Sequence, residues 1–238
     1  MKLLFLVPNI ISDTGGIQTF NKYIINVLTE SGYTLKIVSI ADGKYFKIFK
    51  KFIFVVNTLL QIFVVRPRLI ICSHINFSFL CSIINKIFKI PYYVIVYGMD
   101  VCNLTKFNYI GLEFSQKIIT ISRFTKELML KETKNNFKNK IFVLHPTFDK
   151  ERFRPKQKDG YLTNKLKIQE NDKIILTIAR LSKREQYKGY DKVIIVMADI
   201  LKELPNVKYI IGGSGDDIDR IKKIIKDKDL GDKVILTG

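Results

Sequence analysis

The chain of 238 residues is short of the residues that build metal centres and disulfide frameworks. It has two histidines, His74 and His145, and three cysteines, Cys72, Cys81 and Cys102. The cysteines form no C-x-x-C pair, are odd in number and lie in apolar surroundings. They read as small buried hydrophobes in a reducing cytoplasm. Zinc-ligand spacing is absent, so no metal site is expected. Acidic residues are few: 22 Asp and Glu stand against 40 Lys and Arg, a formal net charge of +18. The excess is +13 over residues 1–155 and +5 over residues 156–238. Nucleic acid, anionic lipid or a phosphorylated substrate would suit that balance, and so would a general bias toward lysine. Nucleic acid is set aside, because no zinc finger, RNP-like aromatic motif or helix-turn-helix pattern occurs. No leader is read at the start, where Pro8 stops the short apolar run Leu3–Val7. The longest apolar stretch, Phe52–Val65, has 14 residues interrupted by Asn57, Thr58 and Gln61. The expectation is that it is too short to span a membrane.

What the chain does have is an alternation of short apolar runs and helical patterns. Strands are expected at 3–7, 35–40, 69–72, 92–96, 117–121 and 141–144. Helical spacing falls between them, as in Ile17, Phe20, Ile24, Val27 and Leu28. A second series follows a polar segment: strands at 173–179, 207–211 and 234–236, helices at 191–204 and 216–228. Parallel strands joined by right-handed helical crossovers follow from this order. The fold class is therefore α/β, with two Rossmann-like domains in tandem. The first covers 1–155, a linker 156–172, and a second, truncated domain 173–238. The segment with Lys44, Lys47, Lys50 and Lys51 among Phe46, Phe49, Ile53 and Val56 reads as an ordinary crossover helix. The alternative is a basic helix resting on an anionic membrane surface.

Chemistry concentrates in T-I-A-R-L-S-K-R-E-Q-Y-K-G, residues 177–189. An apolar strand runs into Arg180, Lys188 follows eight residues later, and a helix begins after Gly189. In open α/β sheets ligands bind where strands end and helices begin. Two cations there suit a phosphate, which arginine can grip bidentately; a solvated basic loop is the plain alternative. Gly212, Gly213 and Gly215 form a loop after the second strand of this unit. The third glycine of a dinucleotide fingerprint is replaced by Ile218, so NAD binding is not expected. Asp217 and Asp219 have the letters of a metal-binding D-x-D, but first-turn acids complementing the helix dipole explain them better. In the first unit, Gly15 and Gly16 stand where the first helix starts, a place that favours an anion. His74 and Tyr97 stand at strand ends, and Ser122 reads as a helix N-cap.

In order and spacing these pieces resemble the family-4 retaining glycosyltransferases of the GT-B fold. The resemblance is carried by Gly15-Gly16, His74 after R-P-R-L-I-I-C-S, Y-V-I-V-Y-G-M-D (93–100) and I-T-I-S-R-F-T-K (119–126). It continues through L-H-P-T-F-D-K-E-R-F-R-P (144–155), A-R-L-S-K-R-E-Q-Y-K-G-Y-D (179–191) and I-I-G-G-S-G (210–215). It implies that Arg180 and Lys188 hold a donor diphosphate, that the Gly16 amide approaches it, and that Gly212, Gly213 and Gly215 lie near the nucleotide. Gly15, His74, Tyr97 and Ser122 become acceptor-side candidates, with Tyr97 and His74 the weak candidates for catalysis. The implied reaction is retaining, metal-independent transfer from a nucleotide-diphosphate sugar, with no cofactor, to a glycan or lipid-linked glycan. The expected place is the cytoplasm, from the cysteines, and the basic first domain motivates a peripheral position on the inner face of the membrane. Three departures stand out. Tyr97-Gly98 replaces H-G, and His145-Pro146-Thr147 replaces P-N-G. No two glutamates are spaced E-x7-E, the pair that holds the donor sugar. In the family that pair would lie beyond position 238, so the expectation is an amino-terminal portion whose second sheet exposes an apolar edge and face. An inactive fragment, a non-catalytic binding module and a sugar-nucleotide epimerase remain as alternatives.

Overall fold

The computed structural model describes residues 1–8, 15–40, 47–157 and 160–238, with the Lys47 side chain excepted. Lys44 and Phe46 of the expected basic helix, and most of the loop before Gly15, lie outside the described residues. The chain forms two compact units, 1–153 and 154–238.

The first unit is a six-stranded parallel sheet. Its strands are β1 (Lys2–Val7), β2 (Thr34–Ser39), β3 (Leu69–Cys72), β4 (Tyr92–Val96), β5 (Lys117–Thr120) and β6 (Ile141–Val143). Their order is β2-β1-β3-β4-β5-β6. β1 pairs with β2 on one side, Phe5 opposite Ile37, and with β3 on the other, Phe5 opposite Ile71. Leu3 to Val7 are all buried, so β1 is apolar without alternation, as a strand covered on both faces must be. On one face Leu3, Phe5 and Val7 pack with Phe20 of helix α1 (Gly16–Glu30). On the other, Leu4 and Leu6 pack with Phe54 and Ile62 of α2 (Lys47–Val65) and with Cys81 and Ile84 of α3 (Ser78–Phe88). Strand order reverses between β1 and β3. Ligand crevices form at such a switch point, at the strands' carboxyl ends.

Two helices complete this unit. α4 (Lys106–Glu113) has no counterpart in the sequence reading. It starts at a capping box, with the Thr105 hydroxyl accepting from the Asn108 amide and the Asn108 side chain accepting from the Thr105 amide. The asparagine stands where such boxes carry Glu or Gln, and the helix is short and weakly patterned, which hid it. α5 (Arg123–Glu132) runs where it was expected. α2 is longer than the apolar run suggested. Its residues 48–65 are long and apolar enough to cross a membrane by length and composition, which corrects the expectation of a stretch too short to span. The helix is nonetheless a crossover packed on β1 and β2.

The second unit opens with α6 (Gly160–Lys165), a short helix inside the segment expected as linker. β7 (Lys173–Ile178), β8 (Val207–Gly212) and β9 (Val234–Leu236) form a parallel sheet in sequential order. α7 (Tyr190–Glu203) and α8 (Ile218–Asp227) cover one face, where Ile194, Met197, Tyr209, Ile211 and Ile221 form the core. β7 is an edge strand. Its Ile174, Leu176 and Ile178 are exposed, while the alternate Ile175 packs on the core. The expected apolar edge and face are therefore present.

Candidate functional site

In the second unit the chain leaves β7 at Ile178 and runs along the loop that follows β8. The Ala179 amide donates to the Gly212 carbonyl at 2.9 Å, Leu181 to Ser214 at 3.0 Å, and Asp217 returns a bond to Leu181 at 3.0 Å. The two loops lie so close that glycine is required. A Cβ on Gly213 would stand 1.9 Å from the Ala179 carbonyl oxygen, and one on Gly215 would stand 2.0 Å from that of Leu181. Gly212 is different, since a Cβ there would meet ordinary contacts near 3.5 Å. Arg180 thus sits at a strand end held against the glycine loop. Residues 183–188 then make a 3-10 turn, capped by the Ser182 hydroxyl and by Asp216, which accepts from the Lys183 amide at 3.0 Å. That turn delivers Lys188 just before α7.

Arg180 and Lys188 meet on a residue the sequence reading did not single out. Glu185 accepts from Lys188 Nζ at 2.6 Å and lies 3.5 Å from Arg180 Nη1. The Lys188 hydrogen bond holds the Glu185 carboxyl below its ordinary range. One carboxylate thus occupies both cations, and an arriving diphosphate would compete for the same donors with more charge and more acceptor oxygens. Glu185 precedes Lys188 by three residues, and that spacing was the signal available.

Behind this loop is a buried ionic cluster, also missed. Asp217 is fully buried and receives two bonds from Arg220, 2.7 Å from Nε and 2.6 Å from Nη2. Arg220 also reaches Asp191 at 2.9 Å. The Tyr190 hydroxyl lies 2.9 Å from Asp217 Oδ2 and 3.2 Å from the Ser182 carbonyl. The Arg220 guanidinium holds the Asp217 carboxyl low, and burial, followed by Asp217 itself, pushes the Tyr190 phenol up to about 12. The cluster ties the start of α7, the start of α8 and the 180–182 backbone together. Asp217 and Asp219 do not converge: the first is in this ion pair and the second is exposed on α8. Among the described residues no group of His, Cys, Asp and Glu could hold a metal ion.

In the first unit His74, Tyr97 and Ser122 follow the carboxyl ends of β3, β4 and β5, while Gly15 and Gly16 stand at the start of α1. Gly15 caps α1 and Gly16 opens it; a Cβ on Gly16 would meet nothing within 4 Å. The Tyr97 hydroxyl donates to Asn21 at 2.8 Å, and Asn21 donates to Ser73 at 3.0 Å. Burial, the largest cause, raises the Tyr97 phenol far above its ordinary value, so it is no base at neutral pH. Asp100 fixes the turn by accepting from the amides of Tyr97 at 3.1 Å and Gly98 at 2.7 Å. The Ser122 hydroxyl is engaged as the α5 cap, accepting from the Thr125 amide at 3.0 Å. Asn21 lies in no quoted motif, and Ser73 and Asp100, though inside quoted motifs, were given no role of their own.

His74 lines an apolar cavity of about 620 Å³ with Phe54, Phe77, Phe79, Leu80 and Phe107. Lys51, Asn76 and Thr105 are among its polar members. His74 Nδ1 accepts from the Asn76 amide at 3.2 Å, and burial lowers its pKa, partly opposed by Asp100. It is therefore a neutral imidazole with its proton on Nε2, a hydrogen-bond donor.

Residues 161–238 match the family model described as Glycosyl transferases group 1. Over 77 residues the chain is 34% identical to the alpha-monoglucosyldiacylglycerol synthase of Streptococcus pneumoniae, covering 32% of this chain and 17% of that protein. The chain therefore meets well under two thirds of that curated relative. Among solved structures, Anabaena Alr3699/HepE in complex with UDP has a TM-score of 0.74 at 16% identity, covering 100% of this chain and 69% of that one. Sucrose-phosphate synthase of Thermosynechococcus elongatus gives 0.76 at 13% identity, with 100% and 70% covered. Likeness at such identities establishes the fold, the parallel α/β arrangement of the GT-B glycosyltransferases.

Proposed function

We propose, on the premise that residues 161–238 are a glycosyl transferases group 1 segment, that the chain serves hexosyl transfer from a nucleotide-diphosphate sugar. The observation that carries this reading is the pairing of Arg180 and Lys188 on Glu185 beside the glycine loop. In this reading the diphosphate displaces Glu185 from the two cations. The 212–215 loop, in the same unit as the two cations, flanks the nucleotide. The bond between the sugar and the diphosphate breaks, the acceptor oxygen bonds to the anomeric carbon with retained configuration, and the acceptor proton leaves with the nucleoside diphosphate. Arg180 and Lys188 stabilise the charge that develops on the leaving group. Transfer needs no metal and no cofactor, and it takes place in the cytoplasm. The acceptor is a glycan or lipid-linked glycan, with His74 donating a hydrogen bond at its mouth and Tyr97 holding the crest of the first unit in shape.

The test is transfer of labelled sugar from a panel of nucleotide-diphosphate sugars, with and without EDTA, followed by assignment of the anomeric configuration. An inverted product, or activity abolished by EDTA, would contradict the mechanism. A chain that binds donor without turning it over is the second reading, favoured by Glu185 already occupying both cations. Sugar-nucleotide binding with no transfer and no hydrolysis would select it.

A further inference from the structure

We infer that the outer face of α2 is a bilayer-docking surface, with the helix lying in the interface of an anionic membrane rather than crossing it. At 100° per residue, Ile48, Phe52, Val56, Leu60, Phe63 and Val64 share an arc of roughly 160°. All six are exposed, Ile48 by 83% and Val64 by 74%. Every residue of α2 within that arc is apolar. A soluble crossover helix normally turns a polar face to water; this one turns a second apolar face outward. The opposite face is already engaged, with Phe54 and Ile62 buried in the core beneath and Thr58 bonded back to the Phe54 carbonyl. Spanning would strip those residues from the sheet, whereas lying flat leaves them in place.

Charge selects the partner. From residue 43 to residue 99 the chain carries eight basic residues and no acidic one. Lys50 and Lys51 sit on α2, Arg66 follows its last turn, and Lys86 and Lys89 stand at the end of the neighbouring α3. Phe63 of α2 contacts Phe88 of α3 at 5.4 Å, so these cations frame one surface. An apolar face rimmed by cations and free of acids fits anionic headgroups over acyl chains.

The docked helix also lines the cavity that holds His74, through Lys51, Phe54 and Val55. If the proposed transfer is right, an amphiphilic acceptor enters that cavity from the bilayer with its headgroup toward His74 and Asn76; this last step rests on the functional reading, and the docking does not.

The experiment is vesicle co-sedimentation of the whole chain without donor. Vesicles of phosphatidylcholine alone are compared with vesicles containing phosphatidylglycerol. Binding is expected to favour the anionic vesicles and to survive in part at high salt, because the apolar component is not screened. Phe52→Ser with Leu60→Ser should weaken partitioning by about tenfold or more. Lys50→Gln with Lys51→Gln should abolish most of the preference for anionic lipid. Both pairs are judged only after circular dichroism shows wild-type melting. Equal weak binding to the two vesicle types, or unchanged binding by the Phe52/Leu60 pair, overturns the inference. So does a concentration-dependent dimer in lipid-free solution that the same pair dissolves, since the face would then be a contact between copies. Failure of sugar transfer to a soluble acceptor would leave vesicle binding untouched and would count against the functional reading alone.

Discussion

Replacing Asp217 by alanine is the sharpest perturbation of the donor-side framework. Asp217 is fully buried and accepts two short bonds from Arg220 and one from Tyr190. A hydrogen bond to a charged group contributes about 1.5–3 kcal/mol. The full sum is not expected. Arg220 is a third exposed and keeps Asp191, and Tyr190 can turn to the Ser182 carbonyl. The expected loss is about 2–4 kcal/mol, and about half of that for Asp217→Asn, which retains an acceptor. Urea unfolding followed by far-ultraviolet circular dichroism measures it. The pH dependence supplies an internal control. Folding lowers the Asp217 pKa, so the unfolded chain takes up the proton first as pH falls. Its stabilisation is complete above the unfolded value of about 3.9 and is lost as pH falls through the folded value. The gap between wild type and Asp217→Asn should stay constant from neutral pH down to about pH 5 and narrow below about pH 4. A variant within about 0.5 kcal/mol of wild type at neutral pH, or a gap that widens in acid, would refute the reasoning.

Three further outcomes can be checked. Gly213→Ala and Gly215→Ala should each cost more than about 2 kcal/mol in urea titration, because the added carbon meets a backbone oxygen. Gly212→Ala should cost well under half as much, since its neighbours lie at ordinary contact distance. Tyr97→Phe leaves the buried Asn21 carbonyl oxygen without its donor and should lower stability by about 1–2 kcal/mol, read in the same titration. Glu185→Gln should tighten binding of a nucleoside diphosphate, measured by calorimetry, because a neutral amide competes less for Arg180 and Lys188.

The strands were legible because each is a short apolar run between turns, and in β1, β3 and β4 burial on both faces makes that signal strong; β1 through β9 lie within a residue or two of where periodicity put them. α4 was not, because its cap uses Asn108 and its apolar pattern covers two turns. The capacity of α2 to span was misjudged because only the apolar run from Phe52 was counted, although the lysines before it belong to the same helix and their stems lie easily along it. At the candidate site, Arg180, Lys188 and the glycines could be found from strand ends and loop composition. Glu185, Asn21, Ser73 and the Asp217–Arg220–Asp191 cluster could not, because their roles depend on which side chains tertiary packing brings within hydrogen-bond reach. Asn21 and Tyr97 are 76 positions apart.

The central claim is that Arg180 and Lys188 hold a nucleoside diphosphate, and calorimetric titration with UDP tests it most directly. The wild-type chain should bind UDP more tightly than uridine, and Arg180→Ala with Lys188→Ala should weaken UDP at least about tenfold while leaving uridine unchanged. Equal affinity for UDP and uridine, or UDP binding unaffected by the double substitution, would contradict the account.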